Sequence, residues 1–344
     1  MNKRVQAIDV LRGLTMALMI LVNNPGSWSV KYTPLSHAAW NGFTPTDFVF
    51  PCFLFIMGVS MFFSLRKSNF TLSWKVAKRF LLLVGLGLLC NYIGNAVNGT
   101  WSPENLRYMG VLQRFGLCYG ITALLVCKVN HKWLGWTAAG ILLLYSVILL
   151  LGNGYVQGPE SIIAKIDTAI LGENHIYRHG GGIDPEGLVS TIPAVAHCII
   201  GFMIGKTLAQ KDFRKMDSIG TMMLIGGFLL MYLLPVNKKI WSPTFVLVTC
   251  GAGTLLLSLF NWLIDEKGYW KHTGFWKVFG SNAIFCYLLS DVLAWTIHLT
   301  GFKTWAMNLV GTTNFTSLLF AVLCVLVIYL IALPLYKRKI FIKL

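Results

Sequence analysis

The chain has 344 residues, of which 56% are hydrophobic and only 12% charged. That is too little polar surface to cover a water-soluble globule of this size, so soluble enzymes and soluble binding modules are excluded. The formal net charge of +16, from 29 lysines and arginines against 13 acids, fits either an anionic partner such as nucleic acid or a membrane protein with one basic side.

Apolar runs long enough to cross a bilayer recur along the whole chain. They predict an all-α polytopic membrane bundle in a single domain over 1–344, with about ten transmembrane helices. These fall at roughly 5–22, 47–65, 79–97, 109–127, 133–152, 188–208, 219–234, 243–264, 276–297 and 315–336. With a cytoplasmic N-terminus and alternating spans, twenty lysines and arginines fall on the cytoplasmic side. Only Lys31, Arg107, Lys165, Arg178, Lys238, Lys239 and Lys303 fall on the other, and Arg12 and Arg114 lie inside helices. This is the positive-inside pattern, so the basic balance reports topology, with both termini cytoplasmic and no nucleic-acid partner. The first run carries Asp9 and Arg12 and lacks a small-residue cleavage site, so it reads as a span and not as a removed leader. All eight cysteines fall inside predicted spans and none forms a CxxC pair. They read as small packing residues, not as disulfides or metal ligands.

Two non-cytoplasmic loops stand out. The first, residues 23–46, ends in Thr44-Pro45-Thr46-Asp47, with Thr at the N-cap, Pro at N1 and an acid at N3 of the second span. The second, roughly 153–187, mixes apolar, aromatic and polar residues and reads as a folded cap. It includes Arg178 and His179, and Gly180–Gly182 lets it bend. It closes on Asp184-Pro185-Glu186-Gly187, where Asp184 is expected to cap the sixth span. Free N–H groups at two helix starts on one face suit an oxyanion.

Polar side chains at a membrane boundary are costly unless they bind or react. Asn23, His37, Asn41 and Asp47 surround the start of the second span, Gln113 and Arg114 enter the fourth, and Asp291 lies in the outer part of the ninth. Their common depth predicts a cavity. No zinc spacing, GxGxxG, Walker loop or GxSxG elbow is present, which leaves histidine as the base or nucleophile, the side-chain type that ordinarily titrates near neutrality. Each residue also has a plainer role. His37 fits an interfacial hydrogen-bonding histidine, Asp47 a helix cap, and His197 a core residue. Asp9 and Arg12, three apart on a helix, fit mutual neutralisation. Arg114 has no acid within a turn, which favours function.

The segments AIDVLRGLTMALMILVNNPG, PLSHAAWNGFTPTDFVFPCFLFIMG, LRYMGVLQRFG, GENHIYRHGGGIDPEGLVSTI and NKKIWSPTFVLVTCG resemble, in the same order and over nearly the whole chain, one known family. It is that of the transmembrane acetyltransferases typified by lysosomal heparan-α-glucosaminide N-acetyltransferase. The resemblance implies transfer of acetyl from cytosolic acetyl-CoA, a co-substrate, to an amino-sugar amine on the far face, without a metal. It further implies a compact bacterial member in the inner membrane. On the family pattern His37 is the active-site histidine. Asn23, or Asn24, is the asparagine at the end of the first helix. Arg114, with Gln113 and Arg12, is expected at acetyl-CoA. The acceptor is expected at Trp40, Asn41, Asp47, Asp184, Glu186 and Asp291. His37 acts either as general base or as acetyl acceptor, and Asn23 as an oxyanion donor. The partners implied are the amino sugar or glycan acceptor, coenzyme A and the lipid bilayer, with a homodimer left open. Two rivals remain: an O-acyltransferase of a cell-envelope glycan, and an amino-sugar transporter, although the paired helix interruptions of transporters are not seen.

Overall fold

A computed structural model describes residues 5–100, 102–177, 180–269 and 273–342. Arg178 and His179 of the cap, and Lys3, Arg4, Lys271 and Lys343 of the charge count, lie outside them. The described residues form thirteen α-helices joined by turns and loops, with no strand among them. In chain order these are α1 Gln6–Asn23, α2 Pro45–Arg66, α3 Trp74–Val97, α4 Val111–Lys128, α5 Leu134–Leu151, α6 Ile162–Leu171 and α7 Leu188–Ala209. There follow α8 Phe213–Leu230, α9 Pro243–Phe260, α10 Gly274–Ser281, α11 Ala283–Leu299, α12 Phe302–Val310 and α13 Asn314–Lys337.

Eight helices are long and apolar enough to cross a membrane, and α10 with α11, bent by 84° where they meet, makes a ninth. The chain is a polytopic helical membrane protein. The run expected at 219–234 is α8, which starts at Phe213 and takes Arg214, Lys215 and Asp217 into its first turns. Those charges keep it out of that count, yet α8 carries the chain from the end of α7 back to Ile240, which clusters with Val189 at the start of α7, so it runs the length of that span. The run expected at 276–297 is broken at Asn282, whose side chain is tied to the far end of the chain: Nδ2 donates to Ile340 O (3.0 Å) and Oδ1 accepts Ile342 N–H (2.8 Å).

The described residues divide into two compact units. The first comprises Met1–His37, Thr44–Phe53 and Leu256–Lys343. In it α1 packs on α10, α11 and α13. Gly13 and Gly280 let α1 and α10 touch backbone to backbone, because a Cβ on either would overlap a carbonyl of the other helix. The free N–H groups of Gln6 and Ala7 at the start of α1 donate to the Asp265 carboxylate at 3.0 and 2.8 Å, a remote helix cap.

The second unit comprises Ala38–Phe43 and Leu54–Leu255. Here α3 packs on α4, and α7 on α4, α5 and α8. Gly58, Gly201 and Gly205 bring α2 against α7, where any Cβ would meet the other helix. The cap region contains α6, docked through Ile163 and Ala164 onto Tyr145, Leu149, Val189 and Ile240. All eight cysteines are free thiols on helices, as their positions predict.

Candidate active site

In the first unit, the chain leaving α1 is pinned to the start of α13. Gly26 N–H donates to Ser317 O (3.1 Å) and Ser27 N–H to Ser317 Oγ (2.9 Å). A single helical turn, Thr33–Leu35, then delivers His37. Thr46 Oγ1 donates to Pro34 O (2.9 Å) and Thr44 Oγ1 to Ser36 O (2.7 Å), so the stretch before His37 is tied to the start of α2.

Asp47, on the first turn of α2, is 1% exposed. Its Oδ1 lies 2.7 Å from His37 Nδ1, and its Oδ2 accepts the N–H of Thr44 at 3.1 Å with the Thr44 hydroxyl at 3.0 Å. One carboxylate therefore does two things: it satisfies the N-cap residue, as the sequence suggests, and it holds the histidine, which the sequence does not. An ionised carboxylate only accepts, so Nδ1 carries the proton and Nε2 presents a lone pair. The His37 side chain is 47% exposed.

Asn23, the last residue of α1, is exposed, whereas Asn24 is buried. Asn24 Nδ2 donates to Ile20 O (2.8 Å) and Ser290 Oγ (3.0 Å), which uses both its hydrogens. Of the two, Asn23 keeps a free-facing amide. Asp291 follows Ser290 on α11. At the opposite end of α1, Arg12 Nη1 lies 3.4 Å from Asp9 Oδ1 and donates to Gly280 O (3.2 Å). That is the neutralising pair, and it ties α1 to α10.

In the second unit, Trp40 and Asn41 are engaged by protein. Trp40 Nε1 donates to Tyr155 O (2.8 Å) and Asn41 Oδ1 accepts from Asn237 Nδ2 (3.1 Å). Gly42 N–H donates to Val236 O (2.8 Å) and Lys239 Nζ to Ala39 O (2.7 Å). The segment between His37 and Thr44 is thus gripped by residues 236–239, with the buried Asn237 at the hub. Its Oδ1 also accepts the N–H groups of Lys239 and Ile240 at 2.8 and 3.2 Å.

The same unit holds an arginine–carboxylate cluster. Arg107 grips Asp184 with two nitrogens, Nε to Oδ2 at 3.0 Å and Nη2 to Oδ1, and reaches Glu186 Oε2 at 2.7 Å. Its guanidinium also lies over the Tyr177 ring. Asp184 further accepts the N–H groups of Tyr177 (3.0 Å) and Glu186 (2.9 Å). The expectation that Asp184 caps the sixth span is therefore corrected. Helix α7 starts only at Leu188, because Asp184 is committed to Arg107 and to its own turn, and Asp167 Oδ1 accepts the N–H of Val189 instead (3.0 Å). Arg114 is fully buried, with Nη2 donating to Gly187 O (3.2 Å) and to Ser190 Oγ and the guanidinium over the Trp241 ring. Gln113 beside it is 2% exposed. Arg114 thus braces the start of α7 through Nη2, while its Nε and Nη1 and both polar side-chain atoms of Gln113 are buried without a hydrogen-bond partner among the described residues.

Burial pushes the Glu186 carboxyl up, but Arg107 and then Arg114 pull it further down, and the result lies below the usual carboxylate range. Asp167 goes the other way: burial, partly opposed by the Val189 N–H, raises it to about 6 from 3.8. The folded state then holds a proton that the unfolded chain has lost, so this group's contribution to stability falls as pH rises through that window and is constant above it. In Asp167→Asn, melting in detergent is expected to lose this slope. A wild-type-minus-variant difference that stays flat between those pH values would refute the assignment.

The family model for the catalytic part of heparan-alpha-glucosaminide N-acetyltransferase matches residues 4–236. The chain belongs to this family. The mouse heparan-alpha-glucosaminide N-acetyltransferase is 30% identical over an alignment covering 84% of the chain and 54% of the relative, and the human one is 28% identical over 99% and 60%. The chain thus spans little more than half the length of these relatives. The catalytic family's matched range holds the His37–Asp47 pair, the Arg107 cluster and Arg114, and ends at Val236, beside Asn237 and well before Asp291.

Sequence reasoning missed Arg107, Asn237 and Ser190. Arg107 was visible only as one of few basic residues on its face. The available signal was its place in LRYMGVLQR and the two acids of DPEG, both motifs of the family resemblance, which call for a cation. Asn237 had no such signal, since its partners come from distant segments.

Proposed function

We propose that the chain transfers the acetyl group of acetyl-CoA to the amine of glucosamine or a terminal glucosaminide, with His37 as general base. The observation that carries the reading is the His37–Asp47 pair at 2.7 Å, with a buried carboxylate behind a half-exposed ring. In the step, the amine nitrogen adds to the thioester carbonyl and gives a proton to His37 Nε2. A C–N bond forms, the C–S bond breaks, and coenzyme A leaves as the thiol once it is protonated. Asp47 sets the tautomer and steadies the imidazolium, as an aspartate does for a triad histidine. Asn23, with its amide exposed, is suited to donate to the carbonyl oxygen as charge builds there.

The cap contributes an open cleft of about 670 Å³ whose lining includes Lys165, Glu173, Asn174 and Tyr177. Hydrogen-bonding groups beside an aromatic ring suit a polar sugar, and the volume is that of an ordinary ligand site. The charge asymmetry supports a cytoplasmic donor side and an acceptor on the far face of a bacterial inner membrane. The test is an acetyl-CoA turnover assay of purified protein against free sugars, glucosamine included. Acetylated amine with stoichiometric release of coenzyme A thiol is expected. Ester products alone would favour a hydroxyl acceptor, and sugar flux without thiol release would end the reading.

A further inference from the structure

The first unit carries a basic site that the acetyl-transfer reading does not use. Lys31, in the loop after α1, and Lys303, in α12, place their ammonium groups over the same indole, that of Trp28, at 4.8 and 5.6 Å from its centroid. Among the described residues neither lysine pairs with a carboxylate or donates a hydrogen bond. Two like charges drawn onto one ring repel each other. The ring face offsets part of that, and an anion between them offsets more. Burial also lowers both ammonium groups from their usual range, which adds to the cost of leaving them uncompensated.

The surroundings say which anion. Helix α12 has nine residues, too short to cross a bilayer, and stands between α11 and the long apolar α13. Its Met307 packs on Phe320 and Cys324. Phe302, Trp305, Leu309 and Val310 remain exposed, as does Trp28, with Trp28 and Trp305 each at 59%. Aromatic and basic side chains on a short helix between spans mark the membrane interface. The crease between Lys31, Tyr32, Val22, Ser317 and Leu318 has only about 10 Å³ of free volume, too little for an acyl chain, so a lipid tail lies outside it. The exposed Phe302, Trp305, Leu309 and Val310 beside the two lysines give the order of charge and chain in a lipid.

We propose that Lys31, Trp28 and Lys303 bind the phosphate of an anionic phospholipid whose acyl chains lie against the exposed apolar side chains of α12. The proposal goes beyond acetyl transfer and uses none of the residues assigned to it. The test is native mass spectrometry of the full chain in detergent, with phosphatidylglycerol and phosphatidylcholine of identical acyl chains offered together. Wild-type protein is expected to retain phosphatidylglycerol in preference by roughly tenfold or more, the scale set by two lysines at a membrane surface. Lys31→Ala/Lys303→Ala is expected to bring the ratio near one at an unchanged melting temperature. In Lys31→Arg/Lys303→Arg, which keeps the charges, the preference is expected to persist. Equal retention of the two lipids by the wild type, or an undiminished preference in the alanine variant, overturns the site. Displacement of phosphatidylglycerol by millimolar inorganic phosphate or by a soluble sulfated sugar overturns the lipid as its occupant. None of these readouts depends on acetyl transfer, so the two readings fail separately.

Discussion

His37→Ala is expected to lower acetyl-transfer turnover by roughly 10²- to 10⁴-fold, the range for losing a positioned general base, while the protein stays folded. The side chain is half-exposed and sits on a loop, so its loss creates no cavity, and Thr44 continues to occupy Asp47 Oδ2. Kinetics should locate the defect in kcat, since the base acts in the transition state and not in binding either substrate. Asp47→Asn tests the supporting half of the pair. An asparagine fits the space, but with its Oδ1 capping Thr44 it turns an N–H towards His37 and favours the wrong tautomer. Turnover should fall with the donor KM little changed, and by less than in His37→Ala. Turnover of His37→Ala within a few-fold of wild type would sink the proposed site outright.

Arg107→Ala is expected to be the most damaging change to stability, by about 3–5 kcal/mol, the scale for removing one partner of a buried pair. Asp184 is fully buried and Glu186 nearly so, and Arg107 makes two hydrogen bonds to the first and one to the second. Truncation leaves two carboxylates without their shared cation, next to the turn that starts α7. Arg107→Lys restores the charge but not the planar fork, so it should recover only part of the loss. Asp184→Asn in the Arg107→Ala background should be less harmful than in the wild type, because the uncompensated charge is already there. Thermal unfolding in detergent reads all of these variants. A melting temperature of Arg107→Ala within about a degree of wild type would show that the cluster is solvated and not structural. Glu186 also predicts acid sensitivity: its carboxyl is held low in the fold, so its contribution is complete above the ordinary carboxylate range and is lost as pH falls below it.

The helical architecture was legible because each span is an unbroken apolar run whose length a bilayer dictates, and nine of the ten expected runs are long and apolar enough to be spans, counting α10 with α11 as one. The run at 219–234 is a helix too, α8, but its bounds differ because hydropathy of a window does not report where a helix starts. Once α8 begins at Phe213, three charges enter it. Thr44-Pro45-Thr46-Asp47 was legible as a helix start because capping is local chemistry within four residues. Asp184-Pro185-Glu186-Gly187 looks alike and is not one, because Arg107, 77 residues earlier, takes the carboxylate.

From sequence alone come the membrane class, the positions of most spans, the family and the proposal of His37 as the reactive side chain. All of these rest on composition or on segments read contiguously. Only the tertiary structure decided what each polar group is paired with. It joined Asp47 to His37, spent Trp40 and Asn41 on holding a loop, turned Arg114 into a buried brace, raised Arg107 from a topology marker to the centre of a cluster, and set Lys31 and Lys303 on one indole. The physical reason is that hydropathy and capping act over a few residues, whereas a buried charge or amide is satisfied by whichever partner the fold brings within about 3 Å, at any distance along the chain.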